Sequence, residues 1–176
     1  MDDLAAVDID GGLLLGHDGS QFADAALTWA LGLADRLDAP VTVVRAWTIT
    51  TAPRPSTWEF GYVPPLAEFA MAVREKLESD VAPLLEGFAQ VRATCQAVHG
   101  RAAAQLVEAS LQADMLVVGP RGLGGFAGLV MGSTTEQLVR HAKCPVVVVR
   151  GQGVLASTPV AQQRLDAAIE PDAGHE

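Results

Sequence analysis

Stretches of β-branched and aliphatic residues with no polar alternation decide what this chain can fold into. Val41-Thr42-Val43-Val44, Met115-Leu116-Val117-Val118 and Val146-Val147-Val148-Val149 are three such stretches. Successive side chains of a strand point to opposite faces, so a strand with one wet face alternates apolar and polar residues. A strand that does not alternate is buried on both faces, as in parallel sheets covered by helices. Two further strands are expected. One is Leu13-Leu14-Leu15-Gly16-His17, ending at the turn Asp18-Gly19-Ser20, and the other covers 92–98 and ends at His99-Gly100.

Helical spacing fills the intervals. Phe22, Ala26, Trp29, Ala30 and Leu33, continued by Leu37, mark one face of a helix over 20–37, with Ser20 able to cap its first turn. Helices are also expected over 66–89, with a possible kink at Pro83, over 102–112 with Leu106, Val107 and Leu111, and over 133–142. The order β-α-β-α-β-α-β-α-β predicts an α/β fold: a single-domain, open, twisted, parallel five-stranded sheet with helices on both faces, Rossmann-like in type. The 176 residues fit one domain. The expected division is an acidic leader over 1–12, the domain over 13–150, and an aperiodic, flexible tail over 151–176. Pro53, Pro55, Pro64 and Pro65 make 48–65 a loop, either a lid or partner-binding segment or a variable surface loop.

Hydrophobic residues are 49% of the chain and aromatics 5%, so the core is aliphatic. The net charge of −9 repels nucleic-acid phosphates and argues against DNA or RNA binding. A nucleotide ligand needs locally positive groups or a bound cation to overcome that field. Cys95 and Cys144 form no CxxC pair, which points away from a disulfide framework or a zinc site and toward buried thiols. No apolar run approaches the roughly 18 residues of a membrane span. The acidic start lacks the basic end of a secretory signal, so the expected compartment is cytoplasmic.

Open α/β sheets bind ligands beyond the carboxyl ends of their strands. Those ends are Gly16-His17-Asp18, Ala46-Trp47, His99-Gly100 and Gly119-Pro120. The segment from Gly119 to Thr135 leaves a buried strand, loops through many glycines and enters a helix. Gly119 and Gly122 permit close backbone approach. Gly132, Ser133 and Thr134 stand at a helix start, where free amides and the helix dipole attract phosphate. The hydroxyls of Ser133, Thr134 and Thr135 are further donors. Gly122-x-Gly124-x-x-Ala127 matches a dinucleotide fingerprint only superficially, because it lies in the last β-α unit and no acidic residue ends the next strand. A P-loop sequence is missing, and so is a Gly-x-Ser-x-Gly elbow for a Ser-His-Asp nucleophile. His17, His99, His141 and His175 show no metal-ligand spacing with carboxylates. Neither a catalytic set nor a metal set is therefore assigned.

Gly119-x2-Gly122-x9-Gly132-Ser133, Leu15-Gly16-His17-Asp18-Gly19-Ser20 and the end segment from His141 to Arg150 together resemble the ATP-binding universal stress proteins. The likeness covers about 13–150. It implies an adenine nucleotide alpha hydrolase-like fold that binds ATP, with Mg2+ or Mn2+ bridging the phosphates. It further implies that Asp18 contacts ribose or adenine, that Gly16 and His17 line the base pocket, and that Ala46 forms an apolar wall. Gly119 and Gly122 would leave room for ribose and phosphates, Gly132, Ser133, Thr134 and Thr135 would cradle the phosphates, and Arg121 would neutralise charge. Pro120 departs from the pattern, since it removes a backbone donor inside the signature. The likeness also implies a homodimer paired through Val146–Val149, and a nucleotide-dependent regulator acting on a protein partner. A nucleotide-free interaction module of the same fold and an ATP-pyrophosphatase-type enzyme are the alternatives.

Overall fold

The computed structural model describes residues 6–60, 62, 64–124 and 131–151. The expected tail from 152 onward and the middle of the glycine-rich loop lie outside the described residues, as do residues 1–5 of the leader. Strands and helices alternate as β1 (Leu13–Gly16), α1 (Gln21–Leu37), β2 (Val41–Trp47), α2 (Leu66–Leu85), β3 (Ala93–His99), α3 (Ala102–Ala109), β4 (Met115–Val118), α4 (Ser133–His141) and β5 (Val146–Val148). All strand pairs are parallel, and the sheet order is β3-β2-β1-β4-β5.

The unbroken apolar runs are explained by two cores, one on each face. Leu13 and Leu15 of β1, Val41 and Val43 of β2 and Val117 of β4 pack with α1 and with Leu77 and Val81 of α2. Leu14, Val44, Leu116 and Val118 point the other way, onto Leu106 of α3 and Leu138 of α4. A one-residue slip in any central strand would exchange these two sets.

Helix α1 differs from the expected stripe. Its buried residues are Ala23, Ala26, Leu27, Ala30, Leu31 and Ala34, whereas Leu37 is exposed. Four alanines let the helix lie close to the sheet, and Phe22, Trp29 and Leu33 flank the contact, half-buried. Ser20 caps the helix as expected, its hydroxyl accepting from the Ala23 amide at 3.2 Å. Helix α2 passes through exposed Pro83 and ends two residues later in a short 3-10 turn, Glu86–Phe88.

The second half of the leader is part of the fold. Ile9 is buried with Leu14 and Val98, the Asp8 amide donates to Gln96, and the Gly12 amide donates to Asp114 at 2.7 Å. After β2, Trp47 stacks on Phe69 of α2 at 6.2 Å, and Trp58 of the proline-rich loop meets Phe69 edge-on at 5.9 Å. Thr57 and Tyr62 both donate to Glu68, so the loop is folded back on the first turns of α2. Cys95 and Cys144 are free and half-buried, and burial raises both thiol pKa values. Among the described residues, no helix is long and apolar enough to cross a membrane.

Candidate functional site

Strand order reverses at β1, which has β2 on one side and β4 on the other. The segments leaving the carboxyl ends of β1 and β4 therefore diverge and leave a crevice between them. Asp18 bridges it. One carboxylate oxygen accepts from the Ser20 amide at 3.0 Å, and the other accepts from the Leu123 amide, in the loop after β4, at 2.7 Å. This contact joins two of the segments singled out from the sequence, 105 residues apart.

The glycines of that loop serve different ends. A Cβ on Gly122 would lie 2.3 Å from the Asp18 carboxylate oxygen, so only glycine lets the two groups meet. A Cβ on Gly119 would instead lie 2.9 Å from both Cβ and the carbonyl oxygen of Phe22, so that glycine admits α1 against β4. Gly16 is similar: its missing Cβ leaves space for Leu106 of α3, at 2.8 Å. At these two positions the first demand for glycine comes from packing. The Gly132 amide donates to the Pro120 carbonyl at 2.8 Å and closes the base of the loop. Pro120 itself is buried, and its carbonyl does the tying.

Gly132 is the N-cap of α4 and makes no side-chain cap bond. The first amides of a helix have no partner within it, and a glycine cap supplies none. Ser133 is exposed at this end and Thr134 is half-buried. Thr135 is turned inward, its hydroxyl donating to the Gly119 carbonyl at 2.9 Å. Its proton is spent on the fold, so of the three expected donors only the hydroxyls of Ser133 and Thr134 remain for a ligand. Arg121 lies with its guanidinium 4.8 Å over the Phe22 ring, which keeps a cation at the mouth of the crevice. Ala46 is half-buried at the end of β2 and packs on the α3 side of the sheet.

His17 is 2% exposed, and neither ring nitrogen is free. Its Nδ1 faces the Gly19 amide at 3.3 Å and Arg45 Nη2 at 2.9 Å. Both of those groups are donors, so Nδ1 carries no proton and Nε2–H donates to Asp24 Oδ1 at 3.1 Å. Burial, followed by the Arg45 charge, holds the His17 pKa below its usual 6.5, against the opposing pull of Asp24. Rather than standing open toward a base, His17 is the hub of the turn that carries Asp18.

Arg45, Asp24 and Asp80 were not singled out in the sequence. Arg45 Nε donates to the His17 carbonyl at 3.1 Å and Nη1 pairs with Asp80 of α2 at 2.9 Å. Burial would raise the Asp80 pKa, but bonds from Lys76 and Arg45 outweigh it and hold the carboxyl low. The available signal was a charge inside Val41-Thr42-Val43-Val44-Arg45-Ala46-Trp47, because an arginine in a doubly buried strand requires a partner. Among the described residues, no group of three or more His, Cys, Asp or Glu side chains is placed to hold a metal ion.

The molecule is thus an open parallel α/β protein with a crevice at the reversal between β1 and β4. The profile of the universal stress protein family matches residues 12–150, and the chain belongs to that family. A curated universal stress protein of Mycolicibacterium smegmatis is 34% identical over 151 residues, covering 80% of this chain and 48% of the relative. The chain accordingly spans about half the length of the curated relatives it matches. Among solved structures, UspA from Lactobacillus plantarum matches with a TM-score of 0.63 at 22% identity, over 82% of this chain and 99% of that one. A universal stress protein in complex with cAMP matches with a TM-score of 0.58 at 23% identity, over 80% of this chain and 97% of that one. One from Archaeoglobus fulgidus in complex with dAMP gives 0.56 at 17% identity, over 81% of this chain and all of that one, 100%. These likenesses establish the fold.

Proposed function

We propose that the chain binds an adenine nucleotide, ATP in the first instance, across the β1–β4 crevice and acts as a nucleotide-dependent regulator in the cytoplasm. The observation that carries this reading is the Asp18 carboxylate reaching the Leu123 amide beside Gly122, where a Cβ would displace that carboxylate. An acceptor held there suits the ribose hydroxyls or the adenine amino group. The start of α4, with no side-chain cap, Ser133 exposed and Thr134 half-buried, suits the phosphates, and Arg121 supplies nearby positive charge. Ala46 offers an apolar wall. The reported complexes of two family members with cAMP and dAMP support adenine as the base.

The residues present fit a nucleotide that brings its own cation. With no carboxylate cluster among the described residues, Mg2+ or Mn2+ would be held chiefly through the phosphates, whose charge it would offset. Strand β5 is at the edge of the sheet and offers Val146–Val148 for pairing with a second copy. In this reading a protein partner detects the nucleotide-dependent state of that dimer or of the loop over 48–65.

One observation favours a second reading, a nucleotide-free interaction module. Gly16, Gly119, Thr135 and His17 all serve the protein's own packing and hydrogen bonds. Mass spectrometry of small molecules released from the purified, denatured protein, followed by ATP titration, separates the two. The first reading expects saturable binding that Gly132→Ala with Ser133→Ala abolishes. A flat titration at millimolar nucleotide establishes the second.

A further inference from the structure

We propose that Arg45 is a positioning residue of the nucleotide site, acting through His17 to hold the turn that presents Asp18, and that this hold is released by acid. The role rests on the reading above, that ligand meets Asp18. Among the described residues, the hydrogen bonds and ion pair of Arg45 go to His17 and Asp80, not to Asp18 or the loop after β4. Its guanidinium instead grips the preceding residue twice, at the His17 carbonyl (3.1 Å) and at Nδ1 (2.9 Å). The same Nδ1 takes the Gly19 amide at 3.3 Å, so the residues on both sides of Asp18 are fixed by one imidazole nitrogen and one guanidinium. The third arm of the fork is anchored to α2 through Asp80, which Lys76 also contacts. A planar fork of fixed donors suits this threefold grip, which a lysine ammonium cannot reproduce.

The charged groups facing His17 are Arg45 from β2, Asp24 from α1 and Asp18 from its own turn, with Asp80 and Lys76 of α2 behind Arg45. Adding a proton to Nδ1 turns an acceptor of two hydrogen bonds into a donor aimed at two donors, one of them cationic. The imidazolium can keep its bond to Asp24 but not those to Arg45 and Gly19. The turn, and the Asp18 carboxylate with it, then loses its support.

The test is titration of the full chain with a fluorescent N-methylanthraniloyl ATP at neutral pH and at steps downward through the His17 titration, which burial and Arg45 place below the ordinary histidine value of ~6.5. Arg45→Lys should weaken binding at neutral pH by about tenfold, the scale of one hydrogen bond to a charged group. Asp80→Asn, which loosens the anchor far from the turn, should give a smaller loss in the same direction. His17→Asn keeps an acceptor near the Nδ1 position but cannot titrate. Whatever affinity it keeps at neutral pH, it should lack the parent's extra loss in acid, the nucleotide's own titration being common to both. Circular dichroism melts identify any variant that fails to fold. For such a variant, 15N NMR of the parent decides, by reading whether Nδ1 is the bare nitrogen and whether its protonation coincides with the loss of affinity. Parent-like binding by Arg45→Lys, or a parent-like acid profile in His17→Asn, overturns the role alone. Failure of the parent to bind nucleotide overturns the reading of the site and the role with it.

Discussion

Gly119→Ala and Gly122→Ala remove the same kind of residue from the same loop, yet they should damage different properties. At Gly119 the new Cβ would stand 2.9 Å from Cβ and the carbonyl oxygen of Phe22 and 3.0 Å from its carbonyl carbon. Two of those atoms are helix backbone, so relief requires α1 to move as a body away from β4, disturbing Ala23, Ala26 and Leu27 beneath it. Overpacking of this kind costs about 2 kcal/mol. For a chain of this size that corresponds to a fall in melting temperature of roughly 4–8 °C. At Gly122 the atom in the way, at 2.3 Å, is the carboxylate end of exposed Asp18, which can swing aside. The loss is then the Leu123-to-Asp18 bond at a solvated position, no more than about 1 kcal/mol of stability. Nucleotide affinity, by contrast, should collapse, because the methyl group takes the place where Asp18 meets the loop. Calorimetric melts and ATP titration of both variants measure the contrast. A Gly119→Ala chain that melts with the parent would refute the close-approach argument, and a Gly122→Ala chain that keeps full affinity would refute the placement of the ligand beside Asp18.

Thr135→Val should destabilise by about 1–2 kcal/mol in urea titration, since it leaves the Gly119 carbonyl without its 2.9 Å donor, while Thr135→Ser restores most of that loss. Folded His17 titrates below its ordinary value and unfolded His17 near ~6.5, so between those values the unfolded chain binds more protons. The His17 contribution to stability is therefore complete above that unfolded value and declines as pH falls through the folded one. Urea midpoints measured across this interval should drop for the parent and stay flatter for His17→Asn. Edge pairing through β5 should give a dimer in sedimentation velocity at micromolar protein, and a monomer across the accessible concentrations would remove it.

Sequence exposed the fold so fully because the two signals that define it are local. Apolar runs without alternation need only neighbouring residues to be recognised, and Ser20 before a helical stripe caps whatever helix follows. The site was legible to a different degree. Asp18 and the loop after β4 stood out because turn chemistry and glycine density mark them in the chain, and their meeting at the reversal point follows from topology. Which glycine makes room for a carboxylate and which for packing is another matter. A missing Cβ looks the same in sequence whether it clears space for Phe22, for Leu106 or for a carboxylate, and only the opposing atom distinguishes them. The same ambiguity hid Thr135, whose hydroxyl is one of three in a row but alone turns toward Gly119. Arg45 is the instructive case. A charge placed where both faces of a strand are buried has to be neutralised by something distant in the chain, and here that need draws β1, β2, α1 and α2 together around one imidazole. A charged residue that breaks an apolar strand pattern near its carboxyl end is thus a pointer to the site, because the partners it requires gather at the end of the sheet where ligands bind.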